Sequence, residues 1–375
     1  MHITAYLQPE RTYLPCTGVG RHINNILLHL SQHQDIEISL LVSNQYFDAN
    51  GKLDPRTPLH EFDLCTYPYK RLMTERLWKF CSLPKMDKFI GTTDCLYSPV
   101  AEYVPVNREI PMIITMHDMH TLEPNLLWSN SLGHTWQKWK TQVWISKVFN
   151  RVDHICTVSN YSKQRIIDLL GINPERITTV GNGVDNSFFE IADVDIKDWQ
   201  APIPLPYVIV IGGLKYKKGG YYVLEVAKEL KIRKTSLKIL VVGSSEPSLI
   251  EAANTLDNVI LQGIIPDDEL PKFLRMATSL LFLSLYEGFG IPMIEAMAAG
   301  VPAVVANRGA LPDVGGSAAI LVELENAAVI ADILINLEKD TQLRDRFIQL
   351  GRNHAKKFTW NNCVDRLVEV LHKYS

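Results

Sequence analysis

The chain has 375 residues, of which 46% are hydrophobic and 21% charged, a composition of globular proteins at a length that suggests two domains. A net charge of −3 supplies no bulk attraction for a polyanion, which argues against nucleic acid as a partner. The six cysteines are scattered, with no CxxC pair and no histidine at zinc-finger spacing, so they read as reduced and mostly structural. The chain opens on strand-like residues, with no basic region followed by a long apolar stretch. This pattern predicts neither a signal peptide nor a spanning helix, and hence a cytoplasmic protein.

Residues 3–7 read as a strand leading into a glycine loop, Thr17-Gly18-Val19-Gly20-Arg21, after which Ile23, Ile26, Leu27 and Leu30 fall on one helical stripe. An apolar strand at 36–42 completes a βαβ unit, whose ligands bind beyond the carboxyl ends of the strands. Ile23 stands where a dinucleotide fingerprint would need its third glycine, which disfavours a nicotinamide cofactor. The loop is then either a tight strand-to-helix turn or a backbone contact for a phosphate. Residues 44–94 lose regular alternation and hold four prolines, which predicts loops and short helices, not core strands. Apolar runs resume at 95–97 and 111–115, the second delivering His117 and Asp118 to a strand end; a lone histidine there is either structural or catalytic.

Residues 125–152 combine Lys138, Lys140, Lys147 and Arg151 with Trp128, Trp136, Trp139 and Trp144 and contain no acid before position 153. Such a stretch can touch anionic lipid as an interfacial helix, giving peripheral membrane contact over 136–151, or it can be a packed helix with Trp136, Trp139 and Val143 at core spacing. A short strand at 154–158 precedes a helix capped by Ser159 or Asn160. Residues 177–180 then run into the turn Asn182-Gly183-Val184-Asp185. The acidic, proline-containing stretch 188–206 reads as the linker, giving domains 1–195 and 196–357.

The second half restarts with a strand at 207–211 that ends in Gly212-Gly213-Leu214-Lys215-Tyr216-Lys217-Lys218-Gly219-Gly220. Lysines beside permissive backbone at a strand end can neutralise a diphosphate, Lys218 foremost and Lys217 second, or they are solvated charges flanking a turn. Strands at 237–242 and 259–261 alternate with helices near 248–256 and 267–275, a second doubly wound sheet expected to face the first across a cleft. The apolar run 279–283 leads into SLYEGFGIPMIEAMAAGVPAVV, a β-loop-α-β pattern with Pro292 in the first helical turn and Gly300 closing the helix. Glu287 lies in its glycine-bearing loop and Glu295 in the expected opening turn of the helix. Close backbone approach and a helix N-terminus suit a phosphate-and-sugar ligand; the alternative is that Glu295 only favours the helix N-terminus and Glu287 is a solvated loop charge.

Taken together, Gly18-Val19-Gly20, His117-Asp118, Asn182-Gly183-Val184-Asp185, the segment 212–219 and the segment 287–295 resemble, in order and over nearly the whole chain, the retaining glycosyltransferases of family 4. That resemblance implies the GT-B architecture, two Rossmann-like α/β domains, with the C-terminal helix 358–375 returning to the first. It implies that Lys218 and Lys217 bind the donor diphosphate, that Glu295 holds the ribose hydroxyls and that Glu287 meets the donor sugar. The backbone at Phe289, Gly290 and Ile291 would contact sugar and phosphate, Gly18 and Gly20 would line the phosphate side, and Ile264 would border the base. His117 would lie beside the reacting face of the sugar. Many members carry an arginine near Gly213, where this chain has glycine and a later Lys217; lysine supplies charge without a bidentate fork.

The implied reaction transfers a hexosyl group, mannose or glucose, from GDP-mannose or UDP-glucose to a hydroxyl of a glycan or lipid-linked acceptor, with retention and without a metal. Surface polysaccharide or glycoconjugate synthesis would be its setting. The alternatives are a non-catalytic nucleotide-sugar-binding partner or sensor of the same fold, and a nucleotide-sugar epimerase.

Overall fold

The computed structural model describes residues 1–14, 16–123, 132–195, 203 and 206–375, with backbone alone over 132–140. The chain divides into two compact units, residues 1–183 with 360–375, and residues 184–359.

In the first unit the order is β1 (His2–Tyr6), α1 (Gly18–Leu30), β2 (Glu37–Ser43), β3 (Asp63–Tyr67), α2 (Arg71–Cys81), β4 (Cys95–Ser98), β5 (Met112–Met116), α3 (Leu132–Phe149), β6 (His154–Thr157), α4 (Asn160–Leu170) and β7 (Ile177–Thr179). The seven strands form one parallel sheet in the order β3-β2-β1-β4-β5-β6-β7. The central strands β4, β5 and β6 are buried throughout, as expected where helices cover both faces, which is why they read as continuous apolar runs.

Three expectations for this half are corrected. Residues 44–94 contain a real strand, β3, paired in parallel with β2 from Ser39↔Asp63 to Ser43↔Tyr67, and the 11-residue helix α2. Only Tyr67 of β3 is fully buried, so this edge strand carries too little apolar signal to read. The glycines of the first motif are not in a loop: Thr17 caps α1, accepting from the Gly20 amide at 3.4 Å, so Gly18 and Gly20 form its first turn. Val143 is exposed, and α3 packs instead through Ile145, Val148 and Phe149. Trp128 lies outside the described residues, as do the side chains of Trp136, Lys138, Trp139 and Lys140.

In the second unit the elements are α5 (Asn186–Glu190), β8 (Tyr207–Ile211), α6 (Gly220–Ile232), β9 (Lys238–Val242), α7 (Pro247–Ala253), β10 (Val259–Gly263), α8 (Leu270–Arg275), β11 (Ser279–Phe282), α9 (Ile291–Ala298), β12 (Ala303–Ala306), α10 (Leu311–Gly315), β13 (Ile320–Val322), α11 (Ala327–Lys339) and α12 (Thr341–Ala355). Its parallel sheet runs β10-β9-β8-β11-β12-β13. The division at Gly183/Val184 precedes the linker expected at 188–206, because α5 already packs on α9 within this unit. The last helix, α13 (Trp360–Tyr374), belongs to the first unit, where Cys363, Val364, Leu367 and Leu371 share a core with Ile23, Ile26, Leu27 and Leu30 of α1.

Both sheets reverse their strand order beside their first strand, β1 against β4 and β8 against β11. In open α/β sheets that reversal point, at the carboxyl ends of the strands, is where ligands bind.

Candidate active site

The two loops that leave the reversal point of the second unit are the two richest motifs of the sequence. Residues 212–219 follow β8 and residues 283–290 follow β11, and these strands pair at Ser279↔Val208 and Leu280↔Ile209. The loops are joined by backbone: the Leu285 amide donates to the Lys217 carbonyl at 3.0 Å. Gly219, at φ +70°, passes so close that a Cβ there would lie 1.9 Å from the Leu283 carbonyl oxygen. Only glycine permits both the left-handed backbone and this approach.

The junction places Lys218 against Glu287, Nζ to Oε1 at 2.5 Å, with the side chains 29% and 15% exposed. The Lys218 ammonium also stands 5.5 Å from the ring centroid of Phe282. A half-buried cation shared between a carboxylate and an aromatic ring is placed to take an anion at modest desolvation cost. The Glu287 carbonyl accepts from the Ala310 amide at 3.0 Å, so the β12–α10 connection supports this loop. Nothing in the spacing of the motif announced that support.

Gly290, at φ +97°, is the N-cap of α9, and a Cβ there would meet Leu311 Cδ2 at 2.5 Å. Phe289 is buried and packs edge-on against Phe358 at 5.6 Å, and Ile291 is also buried, so their backbone is what they can offer a ligand. Glu295 does not stand in the opening turn as expected. The helix starts at Ile291, which puts Glu295 one turn further in, where it is buried. Lys217 is half-buried in the same loop as Lys218. Ile264, just after β10, is 68% exposed.

In the first unit, His117 follows β5, and its Nε2–H donates to the Pro99 carbonyl at 2.9 Å. Its ring meets His22 of α1 edge-to-face, centroids 4.7 Å apart. His22 is wholly buried, its Nδ1 is 2.7 Å from Asn182 Oδ1, and its Nε2 has no hydrogen-bond partner among the described residues. Burial lowers the pKa of both histidines, and the neighbouring His117 lowers that of His22 further, so both rings are neutral at neutral pH. His22 and the role of Asn182 escaped the sequence reading; a histidine next to Ile23 on a buried stripe was the available signal. A Cβ at Gly20 would stand 2.1 Å from the Arg11 carbonyl oxygen, so only glycine fits at that position of α1. Among the described residues no group of three or more His, Cys, Asp or Glu side chains could hold a metal ion.

The family profile "Glycosyltransferase Family 4" matches residues 17–188, and the profile "Glycosyl transferases group 1" matches residues 193–354. A D-inositol 3-phosphate glycosyltransferase of Salinispora arenicola is 32% identical, over 95% of this chain and 88% of that protein. The chain belongs to glycosyltransferase family 4. An O-antigen chain mannosyltransferase B of Escherichia coli is 26% identical over 58% of this chain and 59% of that relative, so the chain spans about three fifths of its length. The structure of Anabaena HepE in complex with UDP-glucose superposes with a TM-score of 0.70 at 15% identity, covering 100% of each chain, and establishes the GT-B fold.

Proposed function

We propose that the protein transfers a hexosyl group, mannose or glucose, from a nucleoside diphosphate sugar to a hydroxyl of a glycan or lipid-linked acceptor, with retention at the anomeric carbon and on the cytoplasmic side of the membrane. The observation that carries this reading is the Lys218–Glu287 pair at the reversal point of the second sheet, beside the N-terminus of α9. Lys218, with Lys217, neutralises the diphosphate, and the α9 N-terminus and the backbone of Phe289, Gly290 and Ile291 add partial positive charge where the leaving group gathers negative charge. Glu287 orients the sugar hydroxyls, Glu295 holds the ribose, and Ile264 borders the base. His117, with Gly18 and Gly20, is the contribution of the first unit.

The acceptor oxygen bonds to the anomeric carbon as the bond from that carbon to the diphosphate breaks. The departing phosphate oxygen takes the acceptor proton, so the chain's own cations serve where other enzymes use a divalent ion. The two carboxylates are not the acid and nucleophile of a glycosidase, since one is assigned to the sugar and the other to the ribose. GDP-mannose and UDP-glucose are the donors to try first: one similar protein is named a mannosyltransferase, and a structural neighbour was solved with UDP-glucose.

The test is a thermal-shift screen of the protein, without added metal, against UDP, GDP, ADP and their common sugar conjugates. A selective rise with one nucleotide, lost in Glu295→Ala, is expected, together with loss of transfer but retained donor binding in Glu287→Ala. No shift with any nucleotide, or unchanged turnover in Glu287→Ala, would overturn the assignment.

A further inference from the structure

Helix α2 carries its amphipathy inverted. Arg71, Thr74, Glu75 and Trp78 turn inward, where the Arg71 guanidinium donates to both Glu75 oxygens at 2.7 Å. Glu75 Oε1 also accepts from the Tyr6 hydroxyl at 2.7 Å and from Gln8 at 2.6 Å. A polar network thus anchors the helix, and its apolar residues are left outside. Leu72, Met73, Leu77 and Phe80 are 59%, 62%, 47% and 82% exposed. At 3.6 residues per turn they share an arc of about 140°. Arg76 lies within that arc, and Tyr69 and Leu83, which flank the helix in sequence, are also exposed. A contiguous apolar stripe of this kind marks an interaction surface, whereas scattered exposed leucines do not.

The charges around the stripe select the partner. Lys70, Arg76, Lys85 and Lys88 are exposed, while the acids between positions 69 and 88 are the buried Glu75, held by Arg71, and the half-buried Asp87, which accepts from the Asn107 amide at 2.5 Å. Beside the stripe, α2 and α3 enclose a shallow pocket lined by Trp78, Tyr103 and Trp144 with Lys79, Lys147 and Arg151. Lys147 donates to the carbonyls of Lys79 and Phe80 at 2.8 and 3.2 Å, and the Lys79 ammonium stands 4.4 Å from the Trp144 ring centroid. Glu102 lines the same pocket, its Oε2 3.8 Å from the Lys79 ammonium, and burial raises its pKa to about 8.

We propose that this face of α2 and the pocket beside it dock the protein onto an anionic lipid bilayer. Bulky apolar side chains enter the boundary between headgroups and acyl chains, while lysines and arginines around them meet lipid phosphates. A second copy of the chain is the poorer occupant, since a two-fold contact would set this basic patch against itself. The docking goes beyond the proposed transfer reaction and is read without donor or acceptor, so either can fail while the other stands.

The experiment is co-sedimentation of the full chain with large unilamellar vesicles, made either of equal parts phosphatidylglycerol and phosphatidylcholine or of phosphatidylcholine alone. Binding to the anionic vesicles is expected, with release as salt is raised. The double substitution Met73→Glu/Phe80→Glu should weaken it by about tenfold or more, as should Arg76→Glu/Lys85→Glu, each base contributing near the surface. Ile232→Glu, at an exposed position of the second unit, should leave it unchanged. All these sites are at the surface, so the melting temperature should hold. Failure to bind anionic vesicles, equal binding to phosphatidylcholine alone, or undiminished binding by both double variants would overturn the proposal. So would a sedimentation-velocity dimer abolished by Met73→Glu/Phe80→Glu, which would assign the face to a second copy.

Discussion

Lys218 is held by Glu287 at 2.5 Å, with the two side chains 29% and 15% exposed. A diphosphate that recruits Lys218 must break or share that contact. Fully exposed pairs are worth about 0–1 kcal/mol, and removing one partner of a fully buried pair costs about 3–5 kcal/mol. The partial exposure here puts the coupling at about 1–2 kcal/mol, equivalent to roughly 5- to 30-fold in a dissociation constant. Glu287→Gln therefore tightens binding of the nucleoside diphosphate by up to that factor, even as it impairs handling of the sugar. Lys218→Met weakens the nucleotide by about tenfold or more through loss of a charge-assisted contact. In the Lys218→Met background, Glu287→Gln no longer alters nucleotide affinity. Isothermal titration of UDP and GDP into the four proteins reads the whole cycle. Weaker nucleotide binding in Glu287→Gln, or the same effect with and without Lys218, would refute the reasoning.

Three further outcomes follow from the geometry. Gly290→Ala combines a left-handed backbone with a 2.5 Å approach to Leu311 Cδ2, and should destabilise by about 1–3 kcal/mol, seen as a lower melting temperature by calorimetry; an unchanged value would contradict it. Asn182→Ala strips the acceptor from the buried His22 Nδ1–H and should cost about 1–3 kcal/mol in denaturant unfolding, with a slope-independent shift of midpoint as the readout. His154, bonded to Thr178 and the Tyr374 hydroxyl, has its pKa lowered by burial from 6.5 to about 4. The unfolded chain takes up that proton first, so stability is intact above pH 6.5 and is lost by up to about 3 kcal/mol as pH falls towards 4; His154→Gln should flatten that segment of the pH–stability curve.

The strands most readily read from sequence are those buried on both faces. Cys95–Ser98, Met112–Met116 and Ser279–Phe282 appear as unbroken apolar runs, and the turn residues around them mark their ends. Edge strand β3 failed that test because most of its residues are partly exposed. Helix α2 was hidden for another reason: its inward face is an Arg71–Glu75 network and its apolar side chains point outward, so periodicity identifies a stripe without saying which side it faces.

Local chemistry alone determined that this chain alternates strands and helices twice over, and that glycines, lysines and glutamates gather at the ends of particular strands. Those signals are short-range: strand period, turn residues, helix punctuation. Tertiary structure decided which of those strand ends lie side by side. The pairing of β8 with β11 brings Lys218 to Glu287 across 69 positions of sequence, and the return of α1 to the strand ends of the first sheet brings His22 to His117 and Asn182. Both juxtapositions depend on strand order, which hydrophobic pattern leaves open, because every buried parallel strand looks alike until its neighbours are chosen.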